Sequence, residues 1–154
     1  MNIDDLLQPE RVIASLKSTS KKQALQDMAR RAAELSGMHE RTVFEALLER
    51  ERLGTTGIGN GIAIPHARFS EIDRLYGVFA RLEKPIDFEA VDDQPVDLVF
   101  LLLAPESAGA DHLKALARIS RLLRDKNVCD KLRGSDNRDA IYALLTEPPA
   151  SNAA

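Results

Sequence analysis

Leu98-Val99-Phe100-Leu101-Leu102-Leu103-Ala104 is a run of seven apolar residues, and it constrains the fold more than any other segment. It is far too short to cross a bilayer as a helix, which takes about 20 residues. It lacks the alternation of a strand with one wet face. A strand made of it must sit centrally in a sheet, with helices covering both faces. The chain is 154 residues long, the size of one ordinary domain.

The flanking segments fit that frame. Arg11–Leu16 alternates weakly and reads as a first strand. Ser20 with Gln23 three residues later reads as a capping box. It opens a helix whose Leu25, Met28, Ala29, Ala32 and Leu35 share one face and which stops at Gly37. A second helix is expected from Glu40 to Arg52, with Val43, Phe44, Leu47 and Leu48 inward and Gly54 as its stop. Arg50 and Arg52 lie in its last turn, where cations complement the helix dipole. Ile62–Pro65 reads as a short strand that ends at His66, and Tyr76–Leu82 and Val96–Ala104 as two longer ones. Residues 83–95 form a long polar connection. Helices are expected at about 110–124, 127–133 and 137–146, and the proline-containing residues 147–154 as a fraying tail. The expected fold is a single α/β domain over residues 1–146, a three-layer α/β/α sandwich with a mixed central sheet.

Charge and composition narrow the function. Twenty-one basic against 24 acidic side chains give a net charge of −3, which disfavours a general nucleic-acid binder. The single cysteine, Cys129, can form neither an internal disulfide nor a cysteine-rich zinc site, and its apolar neighbours mark it as a packed thiol. The N-terminus lacks the basic and apolar regions of a signal peptide, so a cytoplasmic protein without membrane insertion is expected.

Four glycines fall within Gly54–Gly61, but this is not a nucleotide loop. Gly57-Ile58-Gly59-Asn60-Gly61-Ile62 has isoleucine where the third glycine of a dinucleotide fingerprint belongs, and it follows a helix and enters a strand, the reverse of the required order. No Gly-Lys-Ser/Thr, G-x-S-x-G or H-x-x-x-H pattern occurs, so a P-loop, a serine hydrolase elbow and a metal site are all disfavoured. Pro65 stiffens the backbone before His66. A neutral imidazole there, with an ordinary pKa of about 6.5, suits nucleophilic attack on phosphorus, provided that cations or N–H groups offset the charge of the transferring group. The candidates are Arg50 and Arg52, Thr55 and Thr56, the amides of Gly57 and Gly59, and His112 at a helix start. His39, between Met38 and Glu40, reads as a surface residue.

The string Arg50-Glu51-Arg52-Leu53-Gly54-Thr55-Thr56-Gly57-Ile58-Gly59-Asn60-Gly61-Ile62-Ala63-Ile64-Pro65-His66 resembles the active-site signature of phosphotransferase-system enzyme IIA domains of the fructose/mannitol group, nearest their nitrogen-regulatory type. The resemblance extends to Asp92–Leu98 and to His112-Leu113. It departs at Ala67, where many relatives carry glycine. It implies a three-layer α/β/α fold, phosphoryl acceptance on His66 Nε2, His112 as a second active-site histidine and Arg50 as the supporting cation. It also implies a histidine phosphocarrier protein of the nitrogen branch as donor, regulatory targets in potassium or nitrogen homeostasis, and no metal or cofactor. The alternative within the same family is a sugar-specific IIA that passes phosphate to a separate IIB component.

Overall fold

The computed structural model describes residues 1–147; residues 148–154, most of the expected tail, lie outside the described residues. Six strands form one sheet: β1 (Val12–Leu16), β2 (Gly57–Gly59), β3 (Ile62–Ala63), β4 (His66–Phe69), β5 (Tyr76–Ile86) and β6 (Val96–Pro105). Five helices are α1 (Lys21–Ser36), α2 (Glu40–Leu53), α3 (Ala110–Leu123), α4 (Lys126–Arg133) and α5 (Arg138–Thr146). The strand order is β1-β5-β6-β3-β2, with β4 also paired to β6. β5–β6 and β2–β3 are antiparallel and the other pairs parallel, so the sheet is mixed.

β6 holds the apolar run and is central, as its composition requires. Val99, Leu101 and Leu103 face a core built with α1 and α2. Leu98, Phe100 and Leu102 face a second core built with α3, α4, α5 and the N-terminal Ile3, Leu6 and Leu7. Two helical layers thus enclose one sheet. Each fully buried Leu or Phe contributes about 1.5–3 kcal/mol, so this strand anchors both halves of the interior.

Three local expectations differ from the structure. Ser20 does cap α1, accepting from the Gln23 N–H at 3.1 Å, but Gln23 Oε1 returns to the Thr19 N–H at 2.9 Å, not to Ser20. The strand ending at His66 is instead two short strands along the same side of β6. Pro65 has no N–H to give a ladder, so pairing lapses at Ile64-Pro65. It resumes with His66 opposite Leu102, whose N–H donates to the Pro65 carbonyl at 2.9 Å. His66 therefore opens β4. Finally, β5 runs on to Ile86, which shortens the polar connection to residues 87–95. That segment clasps the glycine hairpin: Phe88 is fully buried, Val91 N–H donates to Gly57 O at 3.0 Å, and Asp92 Oδ2 accepts from Asn60 N–H at 3.0 Å.

Candidate functional site

β4 is an edge strand, and its alternation separates core-facing side chains from those on the opposite face. Ala67 and Phe69 pack toward the α1–α2 core, which leaves His66 and Arg68 on the face toward α3. Ala67 lies in regular strand without positive φ, so its methyl group needs no special backbone there. His112 comes from the first turn of α3 and lies 5.7 Å from His66 between ring centroids, the rings tilted at 51°. Arg50 reaches over from the last turn of α2, where its Nη1 donates to the Gly54 carbonyl at 2.8 Å. A cavity of about 430 Å³ is lined by Arg50, His66, Arg68 and His112, with Leu53 and Glu49 on its wall.

The His66 ring is fixed at one end. Its Nδ1 lies 2.8 Å from the Ile64 carbonyl. A carbonyl can only accept, so Nδ1 carries the proton and the lone pair is left on Nε2. Burial holds the His66 pKa below the ordinary value of 6.5, the Ile64 hydrogen bond opposes that shift, Arg50 adds to it, and Glu51 opposes it. The His112 pKa is lowered as well, first by burial, then by the positive charge of Arg68 and by His66. His112 is only 6% exposed, and its Nδ1 has no hydrogen-bond partner among the described residues. Both imidazoles are thus biased to the neutral form.

The remaining sequence candidates sit elsewhere. Arg52 pairs with Glu49 at 2.9 Å and lines a separate groove of about 880 Å³ along α1 and α2, which also holds His39. Thr55 Oγ1 donates to the Phe88 carbonyl at 3.2 Å. Thr56 is buried, and its N–H (3.0 Å) and hydroxyl both donate to the Glu51 carboxylate. Gly57 and Gly59 form the β2 rung of the hairpin and do not line the His66 cavity. The glycines serve close packing: a Cβ on Gly57 would lie 2.9 Å from Ala90 Cα, and one on Gly61 would lie 2.5 Å from Arg133 Nη2. Cys129 is buried, donates to Leu123 O and has its pKa raised chiefly by burial, as a packed thiol should. Among the described residues no metal-binding cluster occurs.

Two residues at or beside the site had no place in the sequence reading. Arg68 was findable, because i, i+2 spacing along a strand puts it on the face of His66. Glu51 was hidden by the charged string Glu49–Arg52, where only its burial separates it from its neighbours.

Residues 5–147 match the family model for the phosphoenolpyruvate-dependent sugar phosphotransferase system, EIIA 2. The chain belongs to that family. It is 61% identical over 153 residues to a nitrogen regulatory protein of Bradyrhizobium diazoefficiens, covering 99% of this chain and 100% of that one. The crystal structure of nitrogen regulatory protein IIA-Ntr from Neisseria meningitidis superposes with a TM-score of 0.89 at 33% identity, over 94% of this chain and 99% of that one. IIA mannitol from Escherichia coli shares the fold, with a TM-score of 0.77 at 22% identity over 91% of this chain and 99% of that one. Within the family, this IIA domain is thus of the nitrogen-regulatory type, and its mixed α/β/α architecture is the family's. No helix among the described residues is long and apolar enough to cross a membrane.

Proposed function

We propose that this IIA domain accepts a phosphoryl group on His66 Nε2 from a cytoplasmic histidine phosphocarrier of the nitrogen branch. Its phosphorylation state then governs binding to regulatory targets, including regulators of potassium transport. The observation that carries this reading is the His66–Ile64 hydrogen bond, which leaves the Nε2 lone pair free in a cavity holding Arg50 and His112.

The transfer balances without moving a proton. The Nε2 lone pair forms the bond to phosphorus while the P–N bond of the donor phosphohistidine breaks, its electron pair staying on the donor imidazole. His66 keeps its Nδ1 proton, so its ring becomes cationic, and the Ile64 carbonyl stabilises that charge through the existing hydrogen bond. Arg50 supplies positive charge to the transferring group. Since its own Nη1 is held by Gly54 O, little reorganisation is needed at the moment of reaction. His112 lies close enough to orient the group.

The regulatory reading is favoured over the sugar-specific one by the 61% identity, along nearly the whole chain, to a protein named for nitrogen regulation. The deciding experiment supplies phosphoenolpyruvate and the nitrogen-branch phosphocarrier system, then separately a fructose- or mannitol-type IIB as acceptor. The expected result is acid-labile phosphate on the parent chain, none on His66→Ala, and no onward flow to IIB. Label persisting in His66→Ala would remove His66 as the acceptor, and efficient flow to IIB would favour the sugar-specific role.

A further inference from the structure

We propose that Arg68 is a second guanidinium ligand of the phosphoryl group on His66, supplied from β4 where Arg50 is supplied from α2. This rests on the reading of His66 as the acceptor and adds a residue to that site.

Arg68 lies two residues after His66 on the same strand, so the two side chains leave β4 on the same face. The same cavity is lined by Arg50 from the end of α2 and by Arg68 from β4, with the imidazoles of His66 and His112 also in its wall. The two arginines differ in how they are held. Arg50 donates to Gly54 O. Arg68 is exposed and makes no ion pair or side-chain hydrogen bond among the described residues. Among the described residues on the cavity wall the one carboxylate, Glu49, is paired with Arg52 at 2.9 Å. A free guanidinium therefore stands over a cavity that holds no countercharge of its own for it.

Its charge is already felt inside that cavity. Arg68 is the leading electrostatic cause of the lowered His112 pKa, whereas Arg50 acts on His66. The two cations thus bear on different members of the imidazole pair, and a phosphoryl group on His66 would share a cavity with both. Such a group carries about −1.5 to −2 charges if it titrates like other phosphorylated side chains. A planar guanidinium can donate to two of its oxygens at once.

A small phosphoryl donor separates a ligand of the phosphoryl group from a residue that merely greets a partner protein. Phosphoramidate transfers its phosphoryl group to the His66 ring as its own P–N bond breaks and ammonia leaves with the electron pair. Rates with phosphoramidate and with the phosphocarrier are to be compared for the full-length parent, Arg68→Gln, Arg68→Lys, His66→Ala and Arg41→Gln. Arg41 is an exposed α2 arginine paired with Glu45, and its substitution controls for the loss of one positive charge. The expected result is a slowing of about tenfold or more for Arg68→Gln with both donors, partial recovery in Arg68→Lys and parent rates in Arg41→Gln. The ³¹P resonance of the phosphorylated protein should also move in Arg68→Gln. Unchanged phosphoramidate rates in Arg68→Gln overturn the proposal, and so does a defect confined to the phosphocarrier, which would make Arg68 a docking residue. If His66→Ala is labelled as fast as the parent, the acceptor assignment fails and this inference with it. An exposed side chain is not needed for folding, so a folded Arg68→Gln is expected and is checked by thermal unfolding.

Discussion

The Nδ1–H of His66 and the carbonyl of Ile64, 2.8 Å apart, decide which ring nitrogen is available for chemistry. The bond spans two residues, and the proline between them fixes one backbone torsion of that span. Two-dimensional ¹H–¹⁵N spectra of the histidine rings should therefore show a protonated Nδ1 and an unprotonated Nε2 for His66 at neutral pH. On phosphorylation, Nε2 should be the nitrogen that couples to ³¹P. A ring protonated on Nε2 at neutral pH would contradict the tautomer on which the transfer step depends.

Glu51 is the buried carboxylate beneath the site. It accepts from the Thr56 N–H and hydroxyl and pairs with Lys21 Nζ at 3.0 Å, tying the start of α1 to the loop that follows α2. That loop includes Gly54, whose carbonyl holds Arg50. Removing one partner of a buried ion pair costs about 3–5 kcal/mol. Lys21 is the more exposed partner and can regain water, so Glu51→Ala should fall near the low end of that range in urea unfolding. The milder Thr56→Val removes one hydroxyl donor and should cost about 1–3 kcal/mol. Transfer to His66 should slow in Thr56→Val under conditions where the protein is fully folded. A parent rate there would show that the loop does not position Arg50.

Glycine substitutions should divide by what surrounds each one. Gly61 sits at φ +81°, and an added Cβ would lie 2.5 Å from Arg133 Nη2 and 2.8 Å from Asp97 Oδ1. Those groups form an ion pair at 2.9 Å that also bonds to Asn60 O, so neither yields freely. Gly37 has a similar φ of +80° but nothing within 4 Å. Gly37→Ala should cost about 1–2 kcal/mol, the left-handed penalty alone. Gly61→Ala should cost more, because the Arg133–Asp97 pair must also shift. Equal losses in chemical denaturation would mean that the pair gives way without cost.

What could be read from the sequence divides along physical lines. The central strand was legible because seven apolar residues without alternation have few other uses. The helices were legible because Leu25, Met28, Ala29 and Ala32 recur at helical spacing, and all four are buried in one core. His66 stood out through its proline and glycine context. Arg52 and the threonines were harder to place. Residues two apart on a helix point about 200° apart, so Arg50 and Arg52 enter different cavities, and nothing in their composition tells them apart. Thr55 and Thr56 lie close to His66 along the chain, yet their partners are Phe88 O and Glu51. The Thr55 contact arises from the return of residues 87–95 across the hairpin, a long-range event with no local signature, whereas the Thr56 contact is made within the turn that ends α2 and depends on the burial of Glu51.

The two histidines of the candidate site should leave a signature in the pH dependence of both transfer and stability. Each has a pKa lowered by burial in the folded protein, whereas in the unfolded chain each returns to about 6.5. Between those values the unfolded state binds more protons, so stability rises with pH across that window. The contribution is complete above about 6.5 and is lost as pH falls through the folded pKa values. His112 is the more telling probe, because its orphaned Nδ1 would have to be protonated without a partner. Denaturant unfolding at a series of pH values should show this slope in the parent and a flatter one in His112→Gln. The same shift keeps His66 neutral at lower pH than an exposed histidine, so phosphoryl acceptance should persist below pH 6.5 before it declines. A transfer rate that already falls at pH 7, in step with an ordinary imidazole, would show that His66 is not held neutral by its surroundings.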